Sequence, residues 1–357
     1  MRSLLKGLET GSRKLLFRFI SSAARRNVHQ TVPIGEELRR ILIMRQDRIG
    51  DMVMTLPLLR KLKEIHRKAR IGVVASRSNS VVLKYEEDVE VLPFQKDPAG
   101  FLRSIVRAAE FRPDAAVDMH MHDSTTSYVF CLLSGALWKL HVDRENRLPF
   151  NVRVTANQDG HIMTTFADLL SGLGKELKTE NLDSEPFLSE TELDFAGGFW
   201  KRTGLSPGNC AIVNISAGGD NRRWPVKRYV AVCQGLAKMN LVPVIVSSPG
   251  DREKAHTAAE GENSTVVAPL TPDILHLAAL LRGTGLLVSP DTSVVHIAAA
   301  CGVPVVGMYL PFDSSLPKWY PWRVDCEVVM ADDSHSLDSV NPQDVIESAS
   351  RILGRMR

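Results

Sequence analysis

Residues 288–313 read VSPDTSVVHIAAACGVPVVGMYLPFD. The order is apolar strand, abrupt polar turn, small-residue helix and second buried strand, the pattern of a ligand-binding turn in an α/β sheet. The Ser289-Pro290 step ends the strand, and Asp291, Thr292 and Ser293 place short oxygen side chains at a helix start. The small residues from Ile297 to Ala300 let that helix lie close to the sheet. Free backbone N–H groups at a helix N-terminus favour an anion, and in open α/β sheets ligands sit at the carboxyl ends of the strands. The stretch therefore predicts a site for a phosphate-bearing small molecule.

Working outward, an α/β alternation runs through the chain. Strands are expected at Ile41 to Arg45, Ile71 to Ala75, Val89 to Leu92 and Ala115 to Asp118, with helices at Asp51 to His66, Gly100 to Glu110 and Asp159 to Gly174. Residues Lys175 to Glu192 are polar, acidic and aperiodic, and read as a domain boundary. A second series places strands near Ala211 to Ile215, Leu241 to Ser247, Thr265 to Ala268, Gly285 to Val288 and Val303 to Met308. Strands this short and continuously apolar belong in parallel sheets covered on both faces. The expected architecture is two Rossmann-like domains facing one another across a cleft, residues 35–190 and 191–340, followed by a C-terminal helix in 341–357. That helix carries Val345, Ile346, Ala349, Ile352 and Leu353 at helical spacing, so one face packs on a domain.

Length and composition fit that plan. The 357 residues are 44% apolar and 24% charged, enough for two cores, and contain no apolar run of membrane-spanning length. Five scattered cysteines form no C-x-x-C pair, which argues for a reduced compartment and against structural zinc. The net charge of +3 conceals an asymmetry: Met1 to Val28 carries seven Lys and Arg against Glu9, so this segment holds +6 and the remainder −3. Leucines, Phe17, Phe19 and Ile20 accompany those charges, the composition of an interfacial helix on anionic lipid. The N-terminal extension, residues 1–34, is thus either a peripheral membrane contact on a cytoplasmic protein, a frayed basic tail or an Arg- and Ser-rich transit peptide. Nothing in the pattern points to nucleic acid.

The first half carries its chemistry in ILIMRQDRIGDMVMTLPLLRKLKEI, residues 41–65. Gly50 permits a close approach that any side chain would block, and Asp51 stands at the start of a helix. A carboxylate there is favoured in its charged form by the helix dipole, so Asp51 is read either as a helix cap or as a weak general base, with Asp47 as the competing base. Pro57 removes a helical hydrogen bond and is expected to kink or displace the first turns.

These blocks resemble glycosyltransferase family 9, the group of the ADP-heptose:lipopolysaccharide heptosyltransferases. The resemblance runs from about Ile41 to the C-terminus and rests on R-x-D-x-I-G-D at Arg45 to Asp51, T-L-P at Thr55 to Pro57, R-W-P at Arg223 to Pro225 and D-T-x-x-x-H at Asp291 to His296. It implies a GT-B fold and an inverting transfer without an obligatory metal or other cofactor. It also implies a nucleotide-diphosphate sugar donor in the C-terminal half and a lipid-linked glycan acceptor in the N-terminal half, with Asp51 as general base. Ser293 and Leu310 stand where family members often carry Gly, next to the expected donor.

NISAGGDNRRWP, residues 214–225, fits that picture. Ala217, Gly218 and Gly219 follow a strand and can bring backbone N–H groups to a diphosphate. Arg222 or Arg223 can supply the positive charge that a departing nucleoside diphosphate needs, and Arg222 is the stronger candidate for catalysis. Gly50, Ala217, Gly218, Arg223, Asp291, Thr292, Ser293 and His296 are the expected donor-binding residues, and Trp224 reads as a packing anchor. SSPGDREK at 247–254 offers Asp251, Arg252 and Glu253 as ribose- or base-side candidates. Asp118, His120, His122 and Asp123 alternate like metal ligands but share a face only in pairs, so His120 and His122, with Arg48, are read as acceptor contacts and no metal is expected. Two other readings suit the same fold: an epimerase-like enzyme acting on nucleotide sugars, and a non-catalytic nucleotide-sugar-binding protein. A dinucleotide-dependent oxidoreductase is disfavoured, because no G-x-G-x-x-G follows an expected strand.

Overall fold

The computed structural model describes residues 29, 31–33, 37–121, 124–142, 149–157, 160–311 and 318–356. Met1 to Val28, the proposed membrane contact, and His122 and Asp123 lie outside these residues. The chain forms two compact units, one built from the described residues up to Asp47 together with Leu58–Leu182, the other from Arg48–Pro57 and Asp183–Arg357.

In the first unit, β1 (Arg40–Met44), β2 (Arg70–Ser76), β3 (Val89–Phe94), β4 (Ala115–Asp118), β5 (Trp138–Val142) and β6 (Val152–Val154) make a parallel sheet in the order 3-2-1-4-5-6. Helix α1 (Ile49–Ile65) joins β1 to β2 and begins two residues before the expected start, because the carbonyl of Arg48 already accepts from Met52 N at 3.2 Å. Met52 to Leu59 are buried without a break, which marks α1 as an interior helix rather than an amphipathic surface one. Pro57 lies inside the continuous helix, and the division between the two units falls directly after it. Helices α2 (Pro98–Glu110), α3 (Thr125–Leu133) and α4 (Ile162–Ser171) complete the unit; Phe101 and Phe130 bring α2 and α3 edge to face with ring centroids 5.8 Å apart. Ser124 caps α3 through a bond from Ser127 N.

The second unit repeats the plan. Helix α5 (Glu190–Thr203) precedes β7 (Cys210–Asn214), α6 (Val226–Lys238), β8 (Val242–Val246), α7 (Arg252–Glu260), β9 (Val266–Val267), α8 (Ile274–Leu281), β10 (Leu286–Pro290), α9 (Ser293–Ala300), β11 (Val305–Tyr309), β12 (Cys326–Met330) and α10 (Pro342–Met356). Its strands are parallel in the order 12-11-10-7-8-9, so counted from its own first strand this sheet has the same 3-2-1-4-5-6 order as the other. Val345, Ala349 and Ile352 of α10 are fully buried, and Ile346 presses on Gly235 of α6 so closely that an added Cβ would stand 2.6 Å from its side chain.

Several elements exceed the sequence reading. β5 (WKLHV), β6 with three residues and β12 (CEVVM) mix charged and apolar positions, because they lie toward the sheet margins where burial is incomplete. Helix α5 begins inside the expected linker: Ser189 and Glu192 form a reciprocal capping box, so the acidic stretch ends in a helix start.

His66, directly after α1, is 6% exposed, and burial lowers its imidazole from an ordinary 6.5 to about 4, helped by the positive charge of Lys175. The unfolded chain therefore takes up a proton near pH 6.5 that the folded chain refuses until about pH 4. Stability should fall as pH drops through that window and level off below it. His66→Gln should flatten the decline in urea-unfolding midpoints between pH 7 and 4; an unchanged pH profile would show that His66 is not its source.

Candidate functional site

In both sheets the order reverses between the first and fourth strands of the repeat, β1/β4 and β7/β10, and right-handed crossovers send the helices on the two sides of such a reversal to opposite faces. Such reversals open a crevice beyond the carboxyl ends. Both crevices are rich in chemistry.

At the β7/β10 crevice a cavity of about 310 Å³ is lined by residues that include Asn214, Ser216, Ala217, Gly218, Thr292, Ser293 and Val294, with Val246, Pro269 and Leu277 as an apolar wall. Thr292 caps α9, its Oγ1 accepting from Val294 N at 3.3 Å, so the helix terminus opens on the cavity as the sequence indicates. Arg222 reaches Asp291 twice, Nη1 to the carbonyl at 3.1 Å and Nη2 to Oδ2 at 3.3 Å. Arg223 turns elsewhere, to Asp220 at 3.1 Å and Asp251 at 3.6 Å. Asp251 is buried and accepts from Ser216 Oγ at 2.9 Å, Ser248 Oγ at 3.0 Å and Lys254 Nζ at 2.9 Å. Burial pushes its carboxyl up, and the bonds from Lys254, Ser216 and Ser248 more than offset this, so the group is held below its ordinary value. Asp251 thus ties the loops after β7 and β8 together. Trp224 is buried, donates to the carbonyl of Val340 at 3.3 Å and meets Tyr229 edge to face, which makes it the anchor its sequence context suggests.

His296 is buried in α9, and burial lowers its imidazole while the negative charge of Asp291 pulls the other way. Among the described residues its Nδ1 has no hydrogen-bond partner. Residues 48–57 belong to this same unit, and within it Gly50 lies against the His296 ring: an added Cβ would stand 2.6 Å from Cδ2. The close approach expected at Gly50 is thus made by a side chain. Asp51 is the third residue of α1, inside its first turn rather than at the cap position, and Arg48 is exposed just ahead of the helix.

At the β1/β4 crevice, Arg45 is 1% exposed, donates to the carbonyl of Met119 at 2.8 Å, pairs with Asp47 at 3.3 Å and stacks on Phe166 with its guanidinium 4.4 Å from the ring centre. His120 is buried, its Nδ1 lying 2.7 Å from Asp118 Oδ1 and 2.9 Å from Ser127 Oγ, and its Nε2 3.7 Å from Asp47 Oδ2. Gln46 donates to Ser127 Oγ at 3.0 Å, and Asn79 to the carbonyl of Arg45 at 2.8 Å. Asp47 and His120 are therefore brought together in one network, and Asp47 is engaged with a buried cation.

Sequence reasoning did not single out Asn214, Ser216, Gln46, Asn79 or Ser127. The signal available was an amide or hydroxyl closing or following an apolar strand, as in CAIVN at 210–214.

Among the described residues, Glu192, Asp273 and His276 have potential metal-ligand atoms within 4.8 Å of one another. Asp273 Oδ1 already accepts from Leu275 N, His276 N and His276 Nδ1, and Glu192 from Ser189, so both carboxylates serve as helix caps.

Residues 114–348 match the family model "Glycosyltransferase family 9 (heptosyltransferase)". The lipopolysaccharide core heptosyltransferase OpsX of Haemophilus influenzae is 23% identical over 300 residues, covering 77% of this chain and 80% of that protein. The crystal structure of a family 9 glycosyltransferase from Veillonella parvula superposes with a TM-score of 0.75 at 19% identity, covering 90% of this chain and 99% of that one. The Escherichia coli heptosyltransferase WaaC with ADP gives 0.67 at 19% identity, covering 88% of this chain and 99% of that one. The fold is GT-B, as expected.

Asp47→Asn keeps the size of the side chain and removes the charge that faces Arg45. It should lower the unfolding free energy by about 1–3 kcal/mol, read from urea denaturation, because a buried guanidinium loses part of its compensation. An unchanged midpoint would mean that Asp47 is not committed to Arg45 and stands open as a base.

Proposed function

The chain belongs to glycosyltransferase family 9, and from that premise we propose that it transfers a sugar, a heptose, from a nucleoside-diphosphate donor such as ADP-heptose to a glycan acceptor of the lipopolysaccharide core. Membership of a transferase family sets aside the epimerase-like and non-catalytic readings. The observation that carries the donor half of the proposal is the β7/β10 cavity, where the start of α9, the backbone of Ala217 and Gly218 and an apolar wall converge. An anionic diphosphate suits the helix terminus, and a flat nucleobase suits the wall of Val246, Pro269 and Leu277.

In the proposed reaction Asp51 takes the proton of the acceptor hydroxyl. The acceptor oxygen forms its bond to the anomeric carbon from the face opposite the leaving group, the bond from that carbon to the diphosphate oxygen breaks, and the nucleoside diphosphate leaves with both electrons. The configuration inverts. Negative charge growing on the diphosphate meets Arg222 and the amides at the start of α9, while Arg223, bound to Asp220 and Asp251, contributes less. These groups supply the compensating charge without a metal ion, so turnover should persist in excess EDTA. Arg48 and His120 belong to the acceptor side of the proposal, His120 by shaping the β1/β4 crevice from within, and a lipid-linked acceptor would place the protein at the cytoplasmic face of a membrane. Among the described residues no helix is long and apolar enough to cross one.

Asp51→Asn should cut turnover by ~10² to 10⁴ while leaving donor affinity nearly intact, measured as nucleoside-diphosphate release with a saturating acceptor. Turnover within threefold of wild type would send the base role elsewhere.

Arg222→Ala should lower turnover at saturating donor by ~10² and weaken binding of the diphosphate product, with Arg222→Lys recovering much of the rate. Weakened donor binding at unchanged turnover would instead make Arg222 a ground-state anchor.

A further inference from the structure

Asn214 closes β7 and is 3% exposed. The β7/β10 ladder runs through Leu286↔Ala211, Leu287↔Ile212 and Val288↔Val213, and there it ends. The Asn214 side chain continues the connection across the crevice. Its two Nδ2 hydrogens serve three acceptors, Ser289 Oγ at 3.0 Å, the carbonyl of Ser216 at 3.1 Å and, as the longer arm of a shared bond, Thr292 Oγ1 at 3.3 Å, and its Oδ1 accepts from Ser216 N at 3.1 Å. One amide therefore ties the loop after β7 to the start of α9.

The direction of these bonds matters more than their number. Thr292 Oγ1 accepts from Val294 N and takes a share of an Asn214 Nδ2 hydrogen, so both acceptor positions of its hydroxyl face protein donors. What Thr292 has left to offer is its proton. Ser289 Oγ, 3.4 Å away, donates to the carbonyl of Pro290 at 2.7 Å and accepts from Asn214, so the Thr292 proton can go to that oxygen or into the cavity that Thr292 lines. An O–H beside free helix amides is a diphosphate-binding arrangement.

We propose that Asn214 is a positioning residue that fixes the start of α9 and polarises Thr292 so that the cavity presents hydrogen-bond donors to the donor's diphosphate. The inference rests on the reading of this cavity as the donor site. Asparagine is required there because aspartate, its isostere, reverses the polarity: a carboxylate oxygen in place of Nδ2 takes the Thr292 proton inward and adds negative charge beside the phosphates. The nucleoside end of the ligand would not feel the change.

The test compares ADP with adenosine, and UDP with uridine, by titration calorimetry on the full chain, following whichever nucleotide the wild type binds more tightly. Asn214→Asp should raise the dissociation constant of the diphosphate about tenfold or more and that of the nucleoside less than twofold. Nucleoside binding doubles as the control for an intact pocket. Should that variant fail to fold, the Thr292→Ser and Thr292→Val pair carries the test: Ser keeps diphosphate affinity within about threefold and Val loses it, with nucleoside affinity unchanged in both. Equal weakening of diphosphate and nucleoside, or equal diphosphate affinity in the Ser and Val variants, would overturn the proposal. A wild type that binds neither ADP nor UDP would overturn the donor-site reading itself, which separates that failure from the failure of Asn214.

Discussion

A parallel sheet can bury both faces only if the strand order reverses direction, so that crossovers on one side of the reversal cover one face and those on the other side the opposite face, and the reversal leaves two neighbouring strands with nothing above their carboxyl ends. Both sheets of this chain meet that constraint at the same place in the repeat, β1/β4 and β7/β10. The polar networks of the two crevices grow from it. Backbone groups beyond the last ladder pair must find partners, and short side chains supply them: Asn214, Ser216 and Ser289 in one unit, Asn79 in the other. The same lack of cover that exposes those groups gives a ligand its place.

The two crevices resolve the demand differently. In the first unit the polar groups close on one another: Arg45 is sealed beneath Met119 and Phe166, and His120 is held between Asp118 and Ser127 on one side with Asp47 on the other. In the second unit the network is pulled back from the centre, with Asp251 gathering Ser216, Ser248 and Lys254, so helix amides and glycine backbone face an open cavity. The second arrangement suits a small anion of fixed geometry.

The alternation of elements was legible because Ile41 to Met44, Ala211 to Val213 and Leu286 to Val288 are apolar without interruption, as doubly covered strands require. The start of α9 was legible because Thr292 announces a cap. Marginal strands such as β6 and β12 were not, since incomplete burial removes the apolar signal. Asn214 stayed hidden for another reason, and Asp251 was visible only as one of three ribose- or base-side candidates in 247–254, not as the residue that gathers two loops. Their importance lies in partners 78 and 35 positions away along the chain, Thr292 and Ser216, and no local pattern records a contact of that span. Asp51 was visible as a helix-start acid, and its proposed role as base rests on the resemblance that the order of the motifs around it carries.

Arg222 and Asp291 raise a question of exchange, since in the proposed reaction the guanidinium must serve a diphosphate while an aspartate stands beside it. Each side chain of the pair is 22% exposed, so solvent screens their attraction in part, and the 3.3 Å contact is longer than a tight charge-assisted bond. A diphosphate brings more charge and offers acceptors to both arms of the guanidinium fork, so it outcompetes a single partly exposed carboxylate. Asp291 then keeps two uses: it aims Arg222 along the crevice through its carbonyl as well as its carboxylate, and its charge lies beside the buried His296. In the proposed reaction the same arginine would pass from Asp291 to the diphosphate, so that the anchor which orients the cation in the free protein is exchanged for the leaving group it is proposed to serve.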